Sequence, residues 1–341
     1  MSVCSYLQRV LLANFLTIYY SLQVLLLFAV TYFKNPFSNP WVQKLKLVPP
    51  ARLVDPKYGV HKYLKVNNTV LHYVESGDPS KPLIIFLHGF PEFWYSWRYQ
   101  IVEFQKDYWC IAVDMRGYGD SERVEGVSSY KIEILIEDVR DLIRQLGREK
   151  CILVSHDWGG LIACRFRDLY PEVLNGLVML ASTSATAWVR EIWTNSIQRK
   201  KSWYVFMYRA PILPELLISL KDLAIYDKVM LFPKKSTDAE DIECYKYWFR
   251  KDYALTPPIN YYRANFRFDY PDIVEHKENV PMLVAHASDD PYLSHSLLDT
   301  MKKEYTCLET TLIEGTGHFL QQEDPEKVNK VIREFLSRHN I

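Results

Sequence analysis

The hydrophobic pattern divides this chain into two unlike parts. From Val10 to Phe33 run 24 residues without a single Asp, Glu, Lys or Arg, bracketed by Arg9 and Lys34. As a helix this stretch extends ~36 Å at ~1.5 Å per residue, enough to cross a ~30 Å hydrocarbon core with some tilt. Tyr19, Tyr20, Tyr32 and Phe33 add rings suited to a membrane interface. A cleaved signal peptide would show a shorter apolar region, ~7–15 residues, and a small-residue cleavage site. The pattern therefore predicts a single-pass membrane anchor over residues 1–34. Residues 35–59 contain Pro36, Pro40, Pro49, Pro50 and Pro56 and are expected to form a linker.

Beyond residue 60 the pattern becomes one of short apolar runs alternating with helical periodicity. Residues 63–66 and 70–73 flank Asn67-Asn68, a hairpin signal. Asn67-Asn68-Thr69 is also an N-glycosylation acceptor pattern, but a turn explains it first. Residues 83–87 (LIIFL), 110–113 (CIAV), 151–154 (CILV), 177–180 (LVML), 282–285 (MLVA) and 308–313 are strand candidates. The first five are apolar at every position, as strands buried on both faces of a parallel sheet are. Residues 132–146, 161–170 and 325–336 carry helical spacing. An α/β fold follows, with a mostly parallel sheet and helices on both faces. Residues 186–270 break the alternation. They lack a long strand-like run and hold 18 Trp, Tyr and Phe in 85 residues, against 14% aromatic residues overall. A helical lid inserted between two halves of the core, 60–185 and 271–341, is expected.

Charge and cysteine content narrow the function classes. The 41 basic and 41 acidic residues cancel, which argues against nucleic acid as a partner. The 48% hydrophobic content excludes a disordered chain. Six cysteines show no repeated short spacing, and Cys110 and Cys151 open apolar strands, so reduced, buried thiols are expected rather than a disulfide framework. Lys34, Lys44, Lys46, Arg52 and Lys57 follow the apolar segment, whereas Arg9 is the only basic residue before it. That asymmetry favours a cytosolic C-terminal body.

Ligand sites in such sheets lie at the C-terminal ends of the strands, so the residues there matter most. The successive strands are followed by His88-Gly89-Phe90-Pro91, by a segment beginning at Asp114, by Ser155-His156-Asp157-Trp158-Gly159-Gly160, by Ser288-Asp289-Asp290, and by Gly315-Thr316-Gly317-His318. The third has the small-x-acid-x-small-small spacing of a nucleophile elbow, with Asp157 where esterases carry Ser. The alternative, an Asp that merely caps the next helix, does not account for the other strand ends. Nucleophile, acid and base must follow in that order. Asp157, Asp290 and His318 do, with Asp289 competing for the acid.

The segments HGFPEFWYSWR (88–98), DMRGYGDS (114–121) and SHDWGG (155–160) together resemble the epoxide hydrolases of the α/β-hydrolase fold, in particular the animal branch with an N-terminal membrane anchor. The resemblance spans about residues 60–341. It implies an epoxide and water as substrates and a vicinal diol as product; the anchor and the aromatic lid point to a lipophilic, lipid-derived epoxide, and with no metal-ligand cluster or phosphate-binding Gly loop in the sequence no cofactor and no metal are expected. The resemblance implies backbone N–H groups of Phe90 and Trp158 as an oxyanion hole, and His88, Pro91 and Trp94 around the substrate. Tyr262, in a Tyr-Arg pair, and Tyr204, seven residues before Pro211, match the family's two lid proton donors; Tyr261 and Tyr208 are the alternatives. A carboxylate nucleophile needs no activating base and can open the ring by forming an ester. Haloalkane dehalogenases also use an aspartyl ester, but need halide-binding side chains instead of proton donors. A non-catalytic scaffold is the third alternative; it would be expected to lack a triad member.

Overall fold

The apolar runs form the interior of one eight-stranded sheet. The computed structural model describes residues 3–229, 238–266, 268–269 and 280–341. Its strands are β1 (Val60–Val66), β2 (Thr69–Ser76), β3 (Leu83–Leu87), β4 (Trp109–Val113), β5 (Cys151–His156), β6 (Leu174–Leu180), β7 (Met282–Ala287) and β8 (Leu308–Ile313). They lie in the order β1-β2-β4-β3-β5-β6-β7-β8. The β1–β2 and β2–β4 pairs are antiparallel, and all pairs from β4–β3 onward are parallel. Every residue of β3, β4, β5 and β7 is buried, which is why these strands are nearly continuous apolar runs rather than alternating, with Ser155, His156 and His286 near the C-terminal ends of β5 and β7 as the polar exceptions.

The helices are α1 (Val3–Lys34), α2 (Arg98–Phe104), α3 (Ile132–Gln145), α4 (Trp158–Leu169), α5 (Ala185–Thr194), α6 (Ser196–Lys201), α7 (Trp203–Met207), α8 (Leu213–Val229), α9 (Ala239–Phe249), α10 (Thr256–Asn265), α11 (Ser296–Glu304), α12 (Leu320–Glu323) and α13 (Pro325–Arg338). α3 buries Ile132, Leu135, Ile136, Val139, Leu142 and Ile143, the three-to-four spacing of a helix with one face on a core. Helices α5 to α10 make up the described part of the insertion between β6 and β7. The junction expected at 270/271 lies outside the described residues.

The β1–β2 turn shows why Asn-Asn stands there. Asn67 and Asn68 have φ of 39° and 61°, the left-handed values a two-residue hairpin turn demands at both central positions. The Asn67 amide nitrogen donates to Ile134 O at 3.2 Å and to Asp138 Oδ1 at 2.9 Å, so the acceptor nitrogen of the glycosylation pattern is engaged inside the protein. Asp138 is itself buried against the Arg116 guanidinium, at 2.7 and 2.6 Å. All six cysteines are free, and Cys110, Cys151, Cys164 and Cys244 are buried.

Two N-terminal segments differ from a simple anchor and tether. α1 has 32 residues and is long and apolar enough to cross a membrane. One side of it nevertheless rests on the lid. Arg9 Nη1 donates to Phe268 O at 2.9 Å, and Thr17 Oγ1 to Phe206 O at 3.0 Å. Arg209 donates to Thr17 Oγ1 and Asn14 Oδ1, both at 3.0 Å. The expected linker is also seated rather than free. Lys221 N donates to Pro40 O at 2.6 Å, Trp41 Nε1 to Leu216 O at 3.0 Å and Gln43 Nε2 to Ser219 O at 2.7 Å. The prolines keep this strap extended, and the polar groups between them reach carbonyls that a kink in α8 leaves open, where Lys221, Asp222 and Leu223 all have positive φ. Arg52 then pairs with Asp238, Glu240 and Asp241 around the start of α9, at 2.7, 3.0 and 2.8 Å.

Replacing Asp138 by Ala leaves Arg116 buried without its carboxylate and frees the Asn67 amide. Such a loss costs about 3 kcal/mol. Urea unfolding of Asp138→Ala should show a lower midpoint with an unchanged slope.

Candidate active site

The turn from β5 into α4 places Asp157. Its backbone has φ 47° and ψ −116°, a conformation that costs a non-glycine residue energy and persists only where neighbours enforce it. Asp157 N donates to Leu180 O at 3.3 Å, and Asp157 O accepts from Ser182 Oγ at 2.7 Å. The small neighbours are a steric requirement. A Cβ on Gly159 would lie 2.2 Å from Leu87 O, one on Gly160 2.2 Å from Ser182 Oγ, and one on Gly89 2.4 Å from the Asp157 Cβ. β5 continues through Ser155 and His156, so the tight turn begins at Asp157 itself.

The carboxylate points into a cavity walled by Pro91, Trp203, Tyr204, Tyr208, Tyr226, Tyr262, Tyr292 and Phe319, among others. Phe90 N donates to Asp157 Oδ1 at 2.8 Å. Trp158 opens α4, so its N–H has no intrahelical carbonyl partner and lies beside the carboxylate in sequence. On the other side His318 Nε2 stands 3.5 Å from Asp157 Oδ2. His318 Nδ1 is 2.8 Å from Asp290 Oδ2, and Asp290 Oδ1 accepts from the backbone N–H groups of Tyr292 and Leu293 at 2.7 and 3.0 Å. Asp289 turns away, its Oδ2 accepting from Ser288 Oγ at 3.2 Å. Of the two neighbouring acids, Asp290 is the one that faces the imidazole.

Electrostatics follow from this enclosure. Burial pushes the Asp157 carboxyl up, but the His318 hydrogen bond and charge, His156 and the Phe90 N–H outweigh it, and the group ends below its ordinary value. Asp290 is held low in the same way, burial being outweighed by His318 and two backbone donors. Burial lowers His318, yet the Asp290 charge and the Asp157 contacts lift it to about 10. An imidazolium between two carboxylates is the form this arrangement favours.

Tyr262 and Tyr204 both line the cavity with Asp157 and His318, their rings 5.8 Å apart. Burial, followed by the nearby Asp157 charge, raises both phenols well above the ordinary value, so both stay protonated near neutral pH and can donate. Tyr261 is excluded as a donor here because its hydroxyl is bonded to Arg116 O at 2.8 Å and it is absent from the wall. Tyr208 does line the cavity, 4.9 Å from the Tyr262 ring.

Two residues expected around the substrate lie elsewhere. His88 is buried behind the wall, Nδ1 at 2.9 Å from Gly89 O and Nε2 accepting from Met115 N at 3.0 Å. Trp94 is 1% exposed and packs on Tyr58, His61 and Tyr95. Both fix the Phe90-Pro91 loop from within the core, and of the three only Pro91, after a cis peptide bond, reaches the cavity.

Glu92 and His156, by contrast, support the site directly. His156 Nδ1 is 2.6 Å from Glu92 Oε2, and His156 Nε2 is 2.9 Å from His318 O. Gln321 and Gln322 donate to Glu92 Oε1 at 2.9 and 2.8 Å, and Gly89 N to Oε2 at 3.2 Å. One buried carboxylate thereby ties the Phe90 loop, the elbow strand and the His318 loop together. The only sequence signal for it is the position of these residues inside the HGFPE and SHDWGG segments. Among the described residues, no group of three or more His, Cys, Asp or Glu is placed to hold a metal ion.

Chemically, the arrangement can attack a saturated carbon with Asp157, donate protons from the lid to a departing oxygen, and activate water with His318 once its proton is released.

Comparison with known proteins agrees with this geometry. Residues 82–325 match the alpha/beta hydrolase fold family. The chain is 36% identical to epoxide hydrolase 3 of Xenopus tropicalis, over 84% of this chain and 80% of that protein. It is 36% identical to epoxide hydrolase 4 of Homo sapiens, over 84% and 82%. The crystal structure of a Bacillus megaterium epoxide hydrolase in complex with an inhibitor superposes with a TM-score of 0.73 at 30% identity, covering 81% of this chain and all of that one. The chain therefore belongs to the epoxide hydrolases of the α/β-hydrolase fold.

Proposed function

We propose that this protein converts lipophilic epoxides to vicinal diols through an ester on Asp157. The observation that carries this reading is one carboxylate, Asp157, facing two tyrosine hydroxyl-bearing rings across an apolar cavity, with His318 and Asp290 behind it. Asp157 attacks an epoxide carbon in line with the C–O bond, while Tyr204 and Tyr262 hold the oxygen and one donates a proton to the alkoxide. Ester formation removes the negative charge of Asp157. His318 then loses one of the two charges that held its proton, passes that proton to the tyrosinate left by ring opening, and as a neutral imidazole can take a proton from water. That water attacks the ester carbonyl, and the oxyanion is met by the N–H groups of Phe90 and Trp158. Collapse returns the Asp157 carboxylate and releases the diol.

An aromatic, largely apolar cavity suits epoxides derived from fatty acids or other lipids. A halide-releasing reaction would leave the lid hydroxyls without a role, and a non-catalytic scaffold would leave the complete triad without one. α1 would hold the body at a membrane. The basic residues after it, the free thiols and the engaged Asn67 amide favour the cytosolic face, with the endoplasmic reticulum as the expected membrane.

Purified protein should turn a long-chain epoxide into diol, and Asp157→Ala should not. In a single turnover in heavy-oxygen water the label should enter Asp157, detected by peptide mass; label found only in diol, with an unlabelled Asp157, would overturn the ester route. Tyr262→Phe and Tyr204→Phe should each lower turnover about tenfold or more, and the double variant further, with unchanged circular dichroism. An unaltered rate in the double variant would remove both from the mechanism.

The two half-reactions should both speed up as pH rises, but in different ranges. Ester formation needs ionised Asp157, whose depressed value keeps it active through the mildly acidic range. Ester decay needs neutral His318, so its rate should rise with pH through a value below the about 10 of the free protein. Rapid quench and intact-protein mass would follow the ester at each pH; decay that slows as pH rises contradicts the assignment of His318.

A further inference from the structure

The cavity comes to the surface beside Trp203, which among the described wall residues is the exposed one, at 38%. Tyr20, in the middle of α1, lies against that indole with ring centroids 5.9 Å apart. Four residues on, Val24 is 5% exposed and packs in the same apolar cluster as the wall residues Leu217 and Ile225. Another turn on, Phe28 meets Trp41 edge-on at 5.4 Å, and Trp41 is bonded to the carbonyl of Leu216 beside the wall. The inward stripe of α1 therefore runs along the rim of the cavity. The polar side chains of α1 serve this contact too, since Asn14 and Thr17 both accept from Arg209 of the lid.

The opposite side of α1 has the contrary character. Leu11, Phe15, Ile18, Leu22, Leu25 and Leu26 are each at least half exposed, on a segment with no charge between Arg9 and Lys34. Such a face calls for acyl chains. A docked α1 cannot also stand across the bilayer, because Tyr20 at its centre would carry Trp203 and the Arg209 guanidinium to the membrane midplane, where a charge is costly.

We propose that α1 lies in the plane of the membrane surface, docked on the lid by its inward stripe and immersed in lipid by its exposed apolar face, and forms the outer wall of the substrate entrance. Lipid-dissolved epoxides then pass between Tyr20 and Trp203 into the cavity without crossing bulk water. This rests on the epoxide-hydrolase reading, which fails separately if no epoxide of any kind is turned over.

Two measurements on the full-length chain in sealed phosphatidylcholine vesicles test it, with the catalytic body outside. Cys4 is exposed at the start of α1. In a Cys307→Ser background it should react with a membrane-impermeant maleimide added outside; a Cys4 protected until the vesicles are permeabilised means that α1 crosses the bilayer and overturns the proposal. The second uses Asn14→Leu with Thr17→Val, which makes α1 more apolar while removing its bonds to Arg209. This variant should still float with the vesicles and keep its kcat/KM on a short water-soluble epoxide. Its kcat/KM on a long-chain epoxide carried in the vesicles should fall about tenfold. Equal effects on both substrates, or none on either, would show that α1 is an anchor without a part in substrate entry. Dimers in detergent that dissociate on Leu22→Glu would assign the apolar face to a second copy and also overturn it.

Discussion

Asp157 and Asp290 set two carboxylates on either side of the His318 ring, at 3.5 and 2.8 Å, with side chains 15%, 1% and 4% exposed. Burying such charges is unfavourable unless they neutralise one another and are hydrogen-bonded. Each condition shapes the surrounding fold. The Phe90 N–H needs the loop after β3, the Tyr292 and Leu293 N–H groups need the turn after β7, and the imidazole needs the loop after β8. The same charge balance supplies the chemistry. It favours a protonated His318 and an ionised Asp157, and in the proposed ester route it is undone when Asp157 becomes a neutral ester.

Around this centre a second set of buried polar groups carries the strain of the elbow outward. Glu92 joins His156 to Gln321 and Gln322. Gln322 Oε1 accepts from Arg98 Nη1 at 2.6 Å and from the Tyr245 hydroxyl at 2.7 Å. Arg98 and the Tyr95 hydroxyl meet Asp241 at 3.3 and 2.7 Å, and Asp241 receives Arg52 of the strap at 2.8 Å. A continuous chain of hydrogen bonds thus connects the His318 loop to the lid and to the segment after α1. These bonds hold their members in place, although Gln321 Oε1 has no partner among the described residues.

The lid has a dual character for the same reason. Its inner side is aromatic because it closes over an apolar cavity, and its outer side presents carbonyls and Arg209 to the strap and to α1. Asn14 and Thr17 look like flaws in an apolar segment when that segment is taken alone. They have partners once it is docked.

How much of this was legible depends on how local each cause is. Apolar runs buried on both faces, the Asn67-Asn68 turn, and the small residues flanking Asp157 are dictated by contacts within a few residues, and the sequence alone determined them together with the order Asp157, Asp290, His318. The choice of Asp290 over Asp289 needed the direction of two adjacent side chains, which only the turn after β7 decides. His88 and Trp94 were drawn toward the substrate by their neighbours in sequence, yet burial in the core holds them behind the wall. The Glu92–His156 pair is separated by 64 residues and the Arg52–Asp241 pair by 189, and no periodicity records such partners. Composition marked α1 as long and apolar enough for a membrane; which of its faces packs on the lid and which stays exposed was decided by tertiary structure, because a helix shows its stripes only when something packs against one of them.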